Sequence, residues 1–315
     1  MKQITFLLLV LATASLSTTA LAGDGVVLGD GTPNAGYAGL YAWYDGSNGV
    51  NGAEGTAEDG ALVTSWNDLS ANVRHLTRTS AGSEPAYSLD AGAGVAGVEF
   101  TNDFIWASSG EYGSLGGAHT FFIVSRPDVA DGGYVMDSSS SAGRNALFTG
   151  QNSMPEQWVC YTGADVFSGG KIALGEVSIV TMTYNADDSQ DIYVNGELMG
   201  SNSGAPTVQA GIILGSRFNV LNRLAGSISE VVVYAEALTE GERDDVTDYL
   251  LTKYGFGGDD GCGGDLNGDD VVNGADIGLL LAGWGTDGSG DINGDGTVDG
   301  ADMGMLLAQW GPCTP

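Results

Sequence analysis

Between Asp265 and Asp302 the chain repeats one arrangement of oxygen-bearing side chains. Asp265, Asn267, Asp269, Asn273 and Asp276 occupy positions 1, 3, 5, 9 and 12 of a twelve-residue stretch. Asp291, Asn293, Asp295, Asp299 and Asp302 occupy the same positions of a second. Residues 264–285 and 290–311 align without gaps at a spacing of 26, with 15 identities in 22 aligned pairs. Carboxylate and amide oxygens at these positions, with the backbone carbonyl of Val271 or Thr297 at position 7, are the ligands a calcium loop needs. Residues 259–315 hold 11 aspartates and no basic side chain, so the segment carries −11, and two Ca²⁺ would bring it to −7. Carboxylates crowded around one point repel unless a hard cation sits among them. With no Cys or His in either loop, the donor set suits calcium better than zinc. A solvated acidic tail does not account for a twelve-residue register kept in two copies.

Two details separate the loops. Position 12 is Asp in both, one methylene shorter than the Glu of a general calcium loop. Position 6 is Gly296 in the second loop and Asp270 in the first. A positive φ there costs Asp more than Gly, so the first site is expected to be the weaker.

Each loop leads into a predicted short helix that positions its last ligands. Apolar residues recur at i, i+3, i+4 and i+7: Ile277, Leu280, Leu281 and Trp284, then Met303, Leu306, Leu307 and Trp310. Such a stripe is expected to bury one face, helix against helix. Gly278 and Gly304 inside these helices cost about 1 kcal/mol each relative to Ala, and close backbone approach would explain them. A unit of this size needs staples beyond its core. Calcium is one. Cys262 and Cys313 flank the repeat, and a bridge between them would tie its ends together for about 4 kcal/mol by the chain-entropy argument. The remaining cysteine, Cys160, lies in a strand-like run and reads as a buried free thiol without an activating base.

Composition bounds the rest. The 315 residues carry 40 acidic and 10 basic side chains, a formal charge of −30. That excludes nucleic acid, whose phosphates require Lys and Arg, and argues against an anionic lipid surface. No stretch reaches the roughly 18 apolar residues of a membrane-spanning helix. At the N-terminus, Lys2, the apolar run Phe6–Ala12 and the small residues of Ala20-Leu21-Ala22 form a secretory signal peptide cut after Ala22. The mature chain, at −31 without Lys2, is therefore expected outside the cytoplasm, secreted or in the cell envelope, where disulfides persist.

From about residue 35 to 235, short β-branched and aromatic runs are split by Gly, Asn, Asp and Ser. They include Gly39–Tyr44, Val95–Phe100, Thr120–Arg126, Val177–Tyr184, Gly211–Leu214 and Leu224–Tyr234. Asn195-Gly196 marks a hairpin turn. A helix is predicted from Thr239 to Tyr254, with Thr239 and Glu242 as a capping box and Gly255 ending it. The division is signal peptide 1–22, sandwich 23–256, linker 257–261 and calcium-binding unit 262–315. The fold class is mainly β, a jelly-roll sandwich with a small α-helical C-terminal domain.

No catalytic set stands out. There is no Glu-x-Asp-x-x-Glu run and no Gly-x-Ser-x-Gly elbow. His75 and His119 lack metal-ligand spacing, Asp187, Asp188 and Asp191 read as a hairpin turn, and the basic island around His75 reads as surface packing. Trp43, Trp66, Trp106 and Trp158 are candidates for sugar stacking, with core filling as the default.

The duplicated loop and helix resemble a type I dockerin over about 50 residues, with loops ending in Asp and no helix before the loop. The resemblance implies calcium-dependent folding and docking to a cohesin-like receptor domain. Gly274-Ala275 and Gly300-Ala301 stand where that family often has a Ser/Thr pair, and the helices carry no Lys or Arg, so the receptor's identity does not carry over. Residues 35–255 resemble a laminin-G-like, concanavalin A-like domain. The motifs are Leu40–Asp45, Trp66–Ser70, Gly97–Phe100, Asp191–Gly196, Leu224–Glu230 and the closing segment Leu238–Tyr254. That likeness implies a sandwich that recognises glycans or proteins, sometimes with calcium at its rim. Together the two describe a secreted, non-catalytic recognition protein that binds carbohydrate or a surface protein and is anchored through its calcium unit. The alternatives are a dockerin-bearing polysaccharide-degrading enzyme, a hydrolase or lyase, and a structural envelope or matrix component.

Overall fold

The computed structural model describes residues 25–312 apart from 93, 131, 142, 152, 164–165, 204–207, 256–262, 268, 270, 287, 289, 291 and 293–296. The expected leader, the linker and both Cys262 and Cys313 lie outside the described residues.

Two antiparallel sheets face each other. The larger has eight strands. Its order runs Glu197–Asn202, Gln190–Val194, Ser178–Tyr184, His119–Pro127 and Gly226–Tyr234, then Gly97–Phe100 and Ala86–Ser88. Leu40–Asp45 pairs with the other half of Gly226–Tyr234. The smaller has six, in the order Val166–Lys171, Met154–Tyr161, Ala146–Gln151, Tyr134–Asp137, Ile212–Leu214 and Ile105–Ala107. Because side chains alternate along a strand, each sheet has an inner and an outer set. The inner sets, among them Phe121, Ile123, Met182, Val231, Leu147, Trp158 and Leu214, form one core between the sheets.

The two outer faces differ, and the difference locates the site. On the larger sheet, Phe122, Val124, Ile179, Val232 and Tyr234 are covered by Leu238, by Val246 and Leu250 of helix α1 (Glu240–Lys253) and by its C-cap Tyr254. This makes the central strands apolar on both faces, so they read as continuous hydrophobic runs. Thr239 and Glu242 close the expected capping box, and Gly255 follows at φ +74°. A buried carboxylate pins the helix. Glu230 accepts from Trp43 Nε1 at 2.7 Å, Tyr249 OH at 3.1 Å, Tyr254 OH at 3.0 Å and Lys253 Nζ at 2.7 Å. Burial pushes its carboxyl above the usual range, while Lys253 pulls it back. All its hydrogen bonds go to structural donors.

The C-terminal unit is built from two equivalent halves. Helices α2 (Gly274–Ala282) and α3 (Gly300–Ala308) each start at loop position 9, where Asn273 or Asp299 is the N-cap, and Asp276 or Asp302 completes the capping box. Val272 pairs with Gly311 beyond α3, and Val298 exchanges hydrogen bonds with Gly285 and Thr286 beyond α2. Each partner is 26 residues from its counterpart, so the repeat became a pseudo-two-fold axis. Val272, Leu280, Val298 and Leu306 form the core, joined by Leu266, Ile277, Ile292 and Met303.

That core corrects the expected stripe. Ile277 and Met303 are half-buried, while Leu281, Trp284, Leu307 and Trp310 are exposed. The helices end at Ala282 and Ala308, so Trp284 and Trp310 fall beyond them, and the core is met by Ile277 and Leu280 and by Met303 and Leu306. Gly278 and Gly304 are also not sites of close approach, since a Cβ at either would meet open space. The close approaches fall instead at Gly264, against Leu306 and Val272, and at Gly290, against Leu280 and Val298.

Candidate functional site

The outer face of the six-stranded sheet has no helix over it among the described residues. It presents Trp106, Tyr134 and Tyr161, all half-buried, and Phe148, stacked on Tyr134 with ring centroids 4.6 Å apart. Beneath these rings lies an ion pair. Asp137, fully buried at the end of its strand, receives Arg144 Nη2 at 2.5 Å and Nε at 3.0 and 3.1 Å. The guanidinium also faces Tyr161 at 4.7 Å and Phe218 at 4.6 Å. Burial raises the Asp137 carboxyl, and Arg144 opposes the rise.

Asp137 also accepts from the backbone N–H of Phe218 at 3.0 Å. This ties down the loop 215–222, which is closed by bonds from Arg217 N to Leu221 O and from Val220 N to Arg217 O. Val220 (φ +56°) and Asn222 (φ +53°) both sit in the left-handed region. For a β-branched residue such as Val that is a strained conformation, of the kind that marks functional loops.

The loop divides the face into two recesses. One, of about 290 Å³, is lined by Tyr134, Phe148, Gln151, Ser153, Arg217 and Asn222, with the backbone of Gly132 and Gly150. The other, of about 130 Å³, is lined by Phe104, Trp106, Ile213, Phe218 and Val220 with the hydroxyls of Ser80 and Ser139. Neither lining contains a carboxylate among the described residues. Aromatic faces beside amides and hydroxyls are what a sugar ring requires, with apolar CH faces to stack and hydroxyls to hydrogen-bond.

Trp66 and Trp158 are core, Trp43 spends its N–H on Glu230, and Trp106 alone lines a recess. His75 accepts from the Asp68 N–H, Arg74 binds the carbonyls of Tyr41 and Tyr112, and Arg78 pairs with Glu111, so the basic island is internally satisfied. Asp187 and Asp188 occupy the expected turn, Asp191 lies instead in the strand Gln190–Val194, opposite Thr183, and Cys160 is a buried free thiol whose pKa burial drives up. Sequence reasoning missed Tyr134, Asp137, Arg144, Arg217 and Phe218. The available signal was scarcity: with ten basic residues in an acidic chain, each arginine beside aromatics merited a question.

In the first C-terminal loop, Asp269 N donates to Asp265 Oδ1 at 3.2 Å and to Asn267 Oδ1 at 2.9 Å. Asp276, fully buried, accepts from Leu266 N and Asn267 N on one oxygen and from Asn273 N on the other. Position 12 is thus folded back onto positions 2 and 3, which closes the loop. Asn273 Nδ2 donates to the Val271 carbonyl. Among the described residues no three carboxylate, imidazole or thiol groups converge on one point. The donor chemistry is nevertheless hard oxygen throughout, with two amides and one carbonyl completing three carboxylates, and it fits calcium. In the second loop Asp302 is fully buried and accepts from Asp299 N, and Thr297 is exposed. Asp291, Asn293 and Asp295 lie outside the described residues, as do Asp270 and Gly296 at position 6.

Residues 102–242, less than half of the chain, match the family model for the concanavalin A-like lectin/glucanases superfamily. Comparison with curated proteins gives no match. Among solved structures, domain 4 of an extracellular arabinanase from Geobacillus stearothermophilus, solved with arabinotriose, aligns at 14% identity and a TM-score of 0.45. The alignment covers 66% of this chain and 98% of that one. Trypanosoma rangeli sialidase aligns at 14% identity and a TM-score of 0.47, over 70% of this chain and 34% of that one. The chain thus spans about a third of the sialidase.

Proposed function

We propose that this concanavalin A-like lectin/glucanase domain recognises carbohydrate, without cleaving it, on the outer face of its six-stranded sheet. The observation that carries the reading is the aromatic, carboxylate-free lining of the two recesses beside Trp106 and Tyr134. Glycoside hydrolysis through paired carboxyls needs two acids flanking the bond. Asp137, beneath these rings, is paired with Arg144, and Glu111 is paired with Arg78, whose guanidinium faces Trp106. Trp106→Ala is expected to weaken glycan binding about 10-fold or more with the fold unchanged. Titration of the purified chain against immobilised polysaccharides checks this. Release of reducing sugar by the wild type, lost on replacing a single carboxylate, would overturn it in favour of a polysaccharide-degrading enzyme.

The C-terminal unit, in this reading, is a calcium-dependent anchor. Asp265, Asn267, Asp269, Asn273 and Asp276 with the Val271 carbonyl hold one ion, and Asp291, Asn293, Asp295, Asp299 and Asp302 with the Thr297 carbonyl hold the other. Bound calcium supplies charge neutralisation. The chain's own contribution is the capping geometry that fixes Asp276 and Asp302 at the helix starts. Leu279, Leu281 and Trp284, with Met305, Leu307 and Trp310 at the equivalent positions, are exposed and suit docking to a protein receptor of the cohesin kind. The signal peptide and the Cys262–Cys313 bridge expected from the sequence would fit an extracellular or cell-envelope site of action.

Chelation is expected to open residues 263–312 to protease while the sandwich keeps its thermal transition, because so small a core depends on the metal. Limited proteolysis with and without EDTA tests it, and Asp276→Ala should behave as the chelated protein does. Identical protection in excess EDTA counts against the anchor.

A further inference from the structure

The cations of this chain are almost all accounted for. Of the 10 Lys and Arg residues, nine are described, all but Lys2. Arg78, Arg126, Arg144, Arg243 and Lys253 pair with carboxylates. Arg74 and Arg223 donate to backbone carbonyls, and Lys171 is exposed to water. Arg217 is different. It lines the larger recess, and its guanidinium has no hydrogen-bond or carboxylate partner among the described residues. Its Nε is buried without a partner. Among the described residues its guanidinium faces the rings of Phe218, at 5.3 Å, and Tyr134, at 5.9 Å.

An unpaired guanidinium in a half-buried site forgoes hydration without gaining an anion, which is unfavourable unless a ligand supplies one. In a chain with 40 acidic residues, an arginine kept clear of them is an exception. The strained turn at Val220 and Asn222 holds it in place beforehand, and preorganisation reduces the ordering cost of binding. The planar fork matches a carboxylate or sulfate oxygen pair. Beside it, Gln151 and Asn222 offer amides for hydroxyls, and Tyr134 offers a ring face.

We infer that the recess around Arg217 receives an anionic sugar unit, a uronate or other carboxylated residue or a sulfate ester, with the acidic group on the guanidinium. This deepens the reading of the sheet face as a glycan site and rests on it. The test is an array of carboxylated and sulfated oligosaccharides, each printed beside its neutral counterpart and probed with the full chain and its variants. Binding should be confined to acidic members and weaken as salt rises. Arg217→Gln should lose roughly 30-fold on those members. Arg217→Lys, which keeps the charge but not the fork, should recover only part of that loss. Whether carboxylated or sulfated members respond tells the two sources of the anion apart. Trp106-dependent binding of neutral glycans that Arg217→Gln leaves unchanged would overturn this inference alone. Absence of binding to any glycan would overturn both it and the reading beneath it. Melting curves of the variants confirm that each is folded.

Discussion

Arg144→Met is expected to destabilise the sandwich by about 3–5 kcal/mol, because it strands the fully buried Asp137 carboxylate without its counter-ion. The Asp137 carboxyl, already raised by burial, would rise further, so the deficit should shrink as pH falls and protonation relieves it. The double variant Asp137→Asn/Arg144→Met separates loss of the charge from loss of packing. A neutral amide oxygen can still accept from Phe218 N, so most of the stability should return. Urea denaturation of wild type, single and double variants measures this. No recovery in the double variant would show that the arginine acts by packing among Tyr134, Tyr161 and Phe218 instead. The single variant should also lose glycan affinity, since Asp137 anchors the loop that carries Arg217 and Phe218.

The second large effect is acid lability centred on His119. The ring is fully buried and stacked on Tyr184 at 4.2 Å, with Nδ1 2.7 Å from the Gly117 carbonyl and Nε2 3.3 Å from Asn145 Nδ2. Burial lowers its pKa to about 4 from 6.5. Below pH 6.5 the unfolded chain takes up a proton that the folded chain refuses until about pH 4. The unfolded state therefore binds more protons across that window, and stability falls as pH falls. The loss is about 3 kcal/mol when complete, roughly 2 of it by pH 5. Glu230, Asp137 and Glu99 have raised pKa values and work in the opposite direction. The diagnostic quantity is thus the difference between wild type and His119→Gln. The variant should lack the fall between pH 6.5 and 4 whatever its stability at neutral pH. Parallel profiles would dismiss the histidine as the cause.

Local patterns reached some elements and not others. Thr239 with Glu242 and Asn195-Gly196 were legible because a cap and a tight turn are decided by residues a few positions apart. The strands His119–Pro127 and Gly226–Tyr234 stood out as β-branched and aromatic runs. The strands Tyr134–Asp137 and Ala146–Gln151 did not, and they carry the face proposed to bind glycan. Their outer residues include Tyr134, Ala146 and Phe148 instead of a polar set, so alternation is blurred. Arg144 lies only seven residues from Asp137, but Phe218 meets them only through pairing between strands distant in sequence. The apolar stripes on α2 and α3 are helical and bury Leu280 and Leu306, with Ile277 and Met303 half-buried, but leave Leu281, Trp284, Leu307 and Trp310 exposed. Periodicity reports which residues share a face, not what covers it.

By itself the sequence determined the twin acidic loops, their register, the helix caps and the β-rich character of the long domain. Each of these depends on neighbours within about a dozen residues, or on a repeat that can be laid over itself. Only the tertiary structure decided which sheet face α1 covers, that the two loops cross over to pair with each other's helix ends, and that Arg217 stands in a recess without a carboxylate. Those facts depend on how distant segments exclude water from one another, and charge and burial acquire their energies only once that exclusion is set.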